Sequence, residues 1–161
     1  MPQTLAAKTA REHVAKARQA KRASAEEIGI DAHFISEMVE RFYASIRADD
    51  LLGPIFAERI GNWPVHLERM KLFWRSVLHN SGEFSGNPMA RHISIPDLEE
   101  AHFSRWLQLF YANLHSMNAG PQAVSLVGER ARMIAESLLA GIATHRDGIA
   151  GANQGRNLPH V

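Results

Sequence analysis

The stretch that decides the fold is FSGNPMARHISIPDLEEAHFSRWLQLF, which runs from Phe84 to Phe110. It places His92 in a short apolar turn bounded by glycine and proline, directly ahead of a long helical pattern that carries Trp106. Because a turn between a Gly/Pro loop and a capped helix has little freedom, it holds its side chains stiffly. We therefore expect a single helical turn over residues 88–93 that presents His92 in a fixed position.

Composition limits the classes of protein to which the chain can belong. Its 161 residues, 45% of them hydrophobic, are enough for one domain with a real core. The absence of cysteine excludes disulfides, thiolate-ligated metals and cysteine nucleophiles, and it leaves histidine as the soft metal ligand. No apolar run approaches the roughly 18–20 residues that span a bilayer, and the N-terminus lacks the apolar core of a secretory signal. We expect a cytoplasmic protein without a membrane span.

Charge is distributed unevenly along the chain. Residues 1–25 hold six basic residues against Glu12 alone, a net charge of +5, and the remainder carries −4. We interpret residues 1–30 as a basic N-terminal extension that is able to form a helix. Its functional interpretations are contact with an anionic surface or a transit peptide. We favour a solvated, partly frayed extension, because it has few large apolar residues, and we expect no nucleic-acid partner.

The remaining chain shows helical spacing of apolar residues and no sustained alternation, which predicts an all-α protein. Asp31 is the expected N-cap of a first core helix, and Ser94-Ile95-Pro96-Asp97 resembles a helix start with Asp97 in the capping-box position. The tail at 147–161 is glycine-rich and is expected to be flexible, with little to bury. The predicted helical segments are 31–47, a short segment through Ile55 and Ile60, Asn62–His79 with Pro64 in its first turn, 88–93, 94–117 and 121–145.

His92 is the strongest candidate for a metal ligand. A neutral imidazole on a short, stiff segment between two helices is what a haem iron needs as its axial ligand. The alternative is a satisfied or exposed histidine without a ligand. Arg91 beside it could reach a haem propionate, or it could be a solvated arginine.

Tyr43, Trp106 and His66 are candidates for the other side of such a cofactor. The tyrosine hydroxyl and the indole N–H can donate to a partly negative diatomic ligand of the iron, or they can bond to backbone as ordinary core aromatics. His66 lies on the apolar face of its helix, where it could gate the pocket, bond the ligand or coordinate the iron itself.

Three further residues on the same helix are candidate walls of the pocket: Met70, Phe73 and Trp74. His102 has the position of a packing or helix-end residue. The other histidines are interpreted as surface or helix-end residues: His13, His33, His79, His115, His145 and His160. Catalytic serine triads, phosphate-binding glycine motifs and paired zinc-ligand motifs are absent from the sequence.

Four motifs in the same order, FYASIRADDLLGPIF, NWPVHLERMKLFW, FSGNPMARH and HFSRWLQLF, resemble the truncated haemoglobins and, within them, the third group. The resemblance covers residues 31–146 and implies a shortened globin fold, a two-over-two helical sandwich around haem b. It also implies that His92 is the proximal iron ligand and that Tyr43 and Trp106 are distal donors, with His66 at the distal gate.

The resemblance further implies a protein that binds O2, NO, CO or peroxide. Two donors would slow the release of dioxygen, which favours redox chemistry, such as a nitric oxide dioxygenase or peroxidase-like reaction with an unidentified external reductase, or sensing. Two alternatives remain at this point. One is a cofactor-free helical interaction module, and the other is an enzyme with a non-haem metal, although carboxylate–histidine pairs at ligand spacing are not evident.

Overall fold

The computed structural model describes residues 2–148, 151 and 154–161, with side chains from residue 4 onward. In these ranges the chain forms seven α-helices and no strand, which confirms the all-α prediction. No helix within them has the length and apolarity that crossing a membrane requires. The helices are α1 (Pro2–Glu27), α2 (Ala32–Ala48), α3 (Gly53–Arg59), α4 (Trp63–His79), α5 (Pro88–Ile93), α6 (Glu100–Ser116) and α7 (Pro121–Asp147).

Side-chain caps set the start of the two helices that follow α1 and α3. Asp31 accepts a hydrogen bond from the backbone N–H of Phe34 at 2.7 Å, and Asn62 accepts one from Val65 at 3.2 Å. Each bond satisfies one of the N–H groups that the first turn of a helix leaves unpaired. Pro64 lies in the first turn of α4, where its missing N–H costs nothing. Both predicted starts are confirmed.

The core lies between two pairs of helices. α2 packs against α4, α6 packs against α7, and α2 also contacts α6, which joins the pairs. The short helices are peripheral, since α3 packs on α2 and α5 packs on α7. The largest fully buried side chains are Phe42, Phe110, Ile30, Ile35, Met38, Ile46, Leu107, Leu114, Leu139, Leu158, Val39 and Val127.

Polar side chains also connect the core helices. The buried Lys71 of α4 donates to Glu40 of α2 at 2.7 Å. Arg105 of α6 contacts the carboxylate of Asp49, the C-cap of α2, at 2.6 Å. The hydrogen bond from Arg105 holds the pKa of Asp49 below its usual range. The carboxylate is therefore charged at neutral pH and holds the end of α2 against α6.

The predicted start of α6 is wrong. Asp97 has φ +62°, a left-handed conformation that cannot form part of a helix, so the helix does not begin at 94–97. Ser94 instead ends the preceding helix, since its hydroxyl donates to the carbonyl of Arg91 at 2.6 Å and its backbone N–H bonds within α5. The Ser-Pro-Asp pattern belongs to a turn between α5 and α6.

The true start of α6 lies a few residues later. Glu99 is the N-cap, and its backbone N–H donates to Nδ1 of His102 at 3.0 Å in a capping box. His102 therefore has the helix-end role that was one of its two predicted roles.

The basic extension is one continuous helix rather than a partly frayed segment. Its alanine-rich sequence has high helix propensity, and its side chains from residue 4 to 24 are exposed. Its C-terminal part packs on α4, where Lys21 donates to the carbonyl of Val77 at 3.0 Å and Ala25 is buried. This packing holds the C-terminal end of α1 against α4.

The C-terminal segment buries more than its glycine content predicted. Of the tail at 147–161, the structure describes all but four residues, and Leu158 is only 2% exposed. The hydroxyl of Tyr111 donates to the carbonyl of Pro159 at 2.7 Å, and Arg132 donates to the carbonyl of Leu158 at 3.3 Å. The expectation that the tail has little to bury is therefore wrong for 154–161.

His79 also differs from its interpretation as a surface residue. It is the last residue of α4, as a helix-end residue should be, but it is 2% exposed. Its Nε2 lies 2.6 Å from the carbonyl of Ile30, just before α2. A buried histidine needs such a partner, and this one joins the end of α4 to the start of α2.

Candidate functional site

The turn that carries His92 is capped at both ends. At its start, Asn87 accepts a hydrogen bond from the N–H of Ala90 at 3.0 Å, and Pro88 occupies the first turn. At its end, the N–H of Ser94 donates to the carbonyl of Ala90 at 3.3 Å. These local bonds explain why six residues form a defined turn, and they confirm the prediction of a helical turn over 88–93.

The imidazole of His92 is oriented by its own turn. Nδ1 lies 2.6 Å from the carbonyl oxygen of Pro88. Because a carbonyl oxygen can only accept, Nδ1 carries the hydrogen and Nε2 keeps its lone pair. Burial lowers the pKa of His92, although the hydrogen bond to Pro88 opposes this, so the ring is neutral at pH 7. A neutral imidazole with one nitrogen bonded to a backbone carbonyl and the other free is the usual form of a metal-ligating histidine.

The arginine before His92 carries a free charge. Arg91 is exposed, and within the described ranges it has no ion-pair partner.

Tyr43 and His66 meet directly. Their ring centroids are 5.0 Å apart, with the planes perpendicular. Trp63 lies beside both rings, 6.1 Å from Tyr43 and 5.6 Å from His66, and Phe56 of α3 contacts Tyr43 at 5.9 Å. The predicted distal tyrosine and histidine therefore form one aromatic group, and Trp63 packs against both of them.

The hydroxyl of Tyr43 is a donor without a protein acceptor. The residue is buried, and no hydrogen bond to it is found in the described part of the chain. Burial raises the pKa of Tyr43 well above its ordinary value, so the hydroxyl keeps its proton at all physiological pH values. A protonated hydroxyl in this state can donate to an acceptor that another molecule, water or a ligand, supplies.

His66 has an unpaired nitrogen in the same place. Its Nε2 is fully buried and has no hydrogen-bond partner among the described residues. Burial, with smaller contributions from the positive charges of Arg69 and Arg91, lowers the pKa of His66 to about 4. The ring is therefore neutral at pH 7. A buried polar atom without a partner is rare in native proteins and commonly marks a site for a ligand.

Trp106 joins this group through Phe42. Its ring is half-buried, lies 5.2 Å from Phe42 edge to face, and stacks on Phe110 at 5.4 Å. Phe42 in turn contacts Tyr43 at 5.1 Å. The two predicted donors thus lie on either side of one phenylalanine, and within the described residues the indole N–H of Trp106 has no acceptor.

The three predicted wall residues differ in burial. Met70 and Phe73 are half-buried, whereas Trp74 is fully buried and stacks on Phe110 at 5.2 Å. Phe73 contacts Trp74 at 5.6 Å and Phe84, from the loop before α5, at 5.2 Å. Phe73 therefore connects the core to the segment that leads to His92, and Trp74 belongs more to the core.

His92 makes no ring contact with Tyr43, His66 or Trp106 in the described ranges. In the same ranges, no three histidine, aspartate or glutamate side chains gather as a metal cluster would.

Two contributors to the site were missed at the sequence level. The carbonyl of Pro88 is invisible in a sequence, although a proline four residues before a histidine in a one-turn helix is a usable signal. The second is Phe42, a buried residue of α2 whose ring contacts both donors.

The unpaired His66 predicts how the stability of the chain depends on pH. The pKa of His66 is about 4 in the folded chain, against 6.5 for an unperturbed histidine, so the unfolded chain binds more protons between these values. Stability is therefore fully present above pH 6.5 and falls as the pH decreases towards 4. In the chain without added cofactor, His66→Leu should flatten this part of the curve of unfolding free energy against pH, measured by urea denaturation.

The matched control is His33→Leu, because the side chain of His33 is 89% exposed. It should leave the wild-type pH dependence in place. If His66→Leu and His33→Leu give the same curve as the wild type, His66 is not buried in its neutral form.

Comparison with known proteins identifies a relative of the chain. The chain is 32% identical over 110 residues to the group 3 truncated haemoglobin of Campylobacter jejuni, an alignment that spans 66% of this chain and 86% of that protein. No protein-family model matches the chain.

A solved structure matches the chain to the same family. The crystal structure of a group III truncated haemoglobin from Campylobacter jejuni superimposes with a TM-score of 0.64 at 31% identity, and it covers 68% of this chain and 88% of the other. The predicted shortened globin fold is confirmed by this match. The chain therefore belongs to group III of the truncated haemoglobins.

Proposed function

We propose that the chain binds haem b with His92 as the ligand of its iron. The observation that carries this proposal is the hydrogen bond between His92 Nδ1 and the carbonyl of Pro88 at 2.6 Å. It leaves Nε2 as the free lone pair of a neutral ring, and the caps of α5 hold the ring in place. Membership in the truncated haemoglobins supports the choice of haem over other metal cofactors.

The residues around the site fit such a cofactor. A flat macrocycle needs apolar walls, which the half-buried Met70 and Phe73 would supply with Trp74 packed behind them in the core. It also needs a cation for its carboxylates, which the guanidinium of Arg91 would supply. The unpaired Nε2 of His66 fits a polar ligand beside the cofactor. When bound, haem would supply an iron that takes a diatomic molecule.

Tyr43 and Trp106 would act on that molecule as hydrogen-bond donors. The protonated hydroxyl and the indole N–H both lack an acceptor among the described residues, and each contributes on the order of 1.5–3 kcal/mol when its acceptor carries charge. One such bond slows release about tenfold to a hundredfold. O2, which is the most strongly polarised of the common diatomic ligands when bound, would gain the most from these donors, whereas CO would gain less.

Slow release argues against oxygen delivery and favours redox chemistry or sensing. In a nitric oxide dioxygenase reaction, nitric oxide, dioxygen and one electron combine to give nitrate. Peroxide reduction to two water molecules needs two electrons and two protons. Both reactions need an external reductase, which we infer as a partner, and the role of the chain's own residues is to hold the ligand.

His66 is suited to a gate because it is neutral. Moving the neutral ring of His66 breaks no ion pair. Its neighbours Tyr43 and Trp63 contact it only in edge-to-face ring packing. The same neutrality would allow Nε2 to coordinate the iron when no other ligand is present, which would make the ferrous protein low-spin.

Replacing His92 tests the cofactor assignment. His92→Ala should abolish stable haem incorporation or change the axial ligation, because no other histidine lies on α5. The measurement is the absorption spectrum after haem reconstitution. His115→Ala is the control, because His115 is exposed on α6, and it should keep the wild-type spectrum. An unchanged spectrum for His92→Ala would rule out His92 as the ligand.

Replacing Tyr43 tests the donor assignment. Tyr43→Phe should speed dioxygen release about tenfold to a hundredfold, because it removes one hydrogen bond to a partly negative ligand. Stopped-flow displacement by CO measures this rate. The chain has two tyrosines, and Tyr111→Phe is the matched control, because its hydroxyl bonds Pro159 in the C-terminal segment. Equal release rates for the two variants would exclude Tyr43 from ligand stabilisation.

A further inference from the structure

The helical turn α5, which bears His92, packs on the rest of the protein mainly through α7. No residue of α5 is fully buried, and the helix that it packs against is α7. An irregular loop precedes it and a turn with left-handed Asp97 follows it. Neither neighbour is a rigid helix. The position of α5 therefore depends on how it sits on α7.

The two helices approach each other closely at Gly141. A Cβ atom added at Gly141 would overlap Sδ and Cε of Met89 and would lie 3.7 Å from its Cγ. The thioether of Met89 thus covers the backbone of α7 in the space that any other side chain would occupy. Because glycine weakens the interior of a helix, its presence in α7 is explained by this close packing.

A second contact holds the chain just after α5. Arg146 of α7 lies 3.5 Å from the carbonyl of Leu98, and the side chain of Leu98 is buried. This contact restrains the turn after Ile93 but not α5 itself. The contact between Met89 and Gly141 lies on α5 itself, three residues before His92.

The ring of His92 is fixed within α5 by the carbonyl of Pro88, so any movement of α5 moves the imidazole with it. We propose that Met89 and Gly141 are positioning residues that set the location of His92 Nε2 relative to the iron. This inference rests on the proposed function, since it takes His92 as the iron ligand. Neither residue touches the ligand, and both act through the position of α5.

Gly141→Ala in the full-length, haem-reconstituted protein tests the proposal. The added methyl group must push Met89 aside or push α5 away from α7, and either change releases the contact that places His92. We expect a longer and weaker bond, seen as a lower iron–His92 stretching frequency in the resonance Raman spectrum of the ferrous protein. Loss of haem to an excess of a haem-free acceptor globin should be about tenfold faster, which corresponds to a loss of about 1.4 kcal/mol in the free energy of haem binding.

Gly128→Ala is the matched control. It is the same substitution in the same helix and is equally crowded, but the added methyl group would meet Val161 of the C-terminal segment rather than α5. It should leave the stretching frequency and the rate of haem loss at their wild-type values. A shift in both variants, or in neither, would overturn the positioning role.

Two further variants keep the test decisive if Gly141→Ala folds poorly. Met89→Ala removes the contact without adding a clash, and it should broaden or lower the stretching band. Combining Gly141→Ala with Met89→Ala should move the frequency back towards the wild type relative to Gly141→Ala alone, because the two changes compensate in volume. Purely additive shifts would contradict the proposal.

The wild-type spectrum separates failure of this inference from failure of the proposed function. If the ferrous wild type shows no iron–histidine band, the assignment of His92 fails and this inference fails with it. If the wild type shows the band and Gly141→Ala leaves it unchanged, only the positioning role fails.

Discussion

The packing of one phenylalanine connects the core of this protein to its site. Phe42 is 1% exposed and makes edge-to-face contacts at 5.1–5.2 Å with Tyr43, Trp106 and Phe110. Each such pair is worth about 0.5–1.5 kcal/mol beyond simple burial. Because Tyr43 is on α2 and Trp106 is on α6, the contact between these helices fixes both donors at once. The rings of Tyr43 and Trp106 are therefore both packed against one residue of the core.

Local signals were sufficient to predict most of the fold. Asp31 and Asn62 cap helices through bonds that reach only three residues ahead, so their types and positions predicted both starts. The errors arose where distant parts of the chain meet. Leu158 is buried against α7 through contacts that its glycine-rich surroundings do not reveal, and His79 is buried by a bond to the carbonyl of Ile30, 49 residues away. Such contacts leave no periodic pattern in a sequence.

The candidate site shows the same contrast between local signals, which a sequence reveals, and contacts between distant parts of the chain, which it does not. Tyr43 and His66 were identifiable as polar groups on apolar helix faces, and the structure places their rings in contact. The features that orient and locate His92 were not identifiable, because one is a backbone carbonyl and the other is the contact of Met89 with a glycine from a distant helix. A sequence can therefore indicate which residue types a site uses, whereas the way in which they are held depends on tertiary packing.

The most direct test is the absorption spectrum of the haem-reconstituted wild type, recorded in the ferric state, after reduction and after addition of CO. An accessible iron bound by His92 predicts a stoichiometric Soret band that shifts when CO is added. A low-spin spectrum of the reduced protein before CO would add His66 as a second iron ligand. The absence of a stoichiometric Soret band would contradict the assignment and leave a cofactor-free helical interaction module as the better explanation.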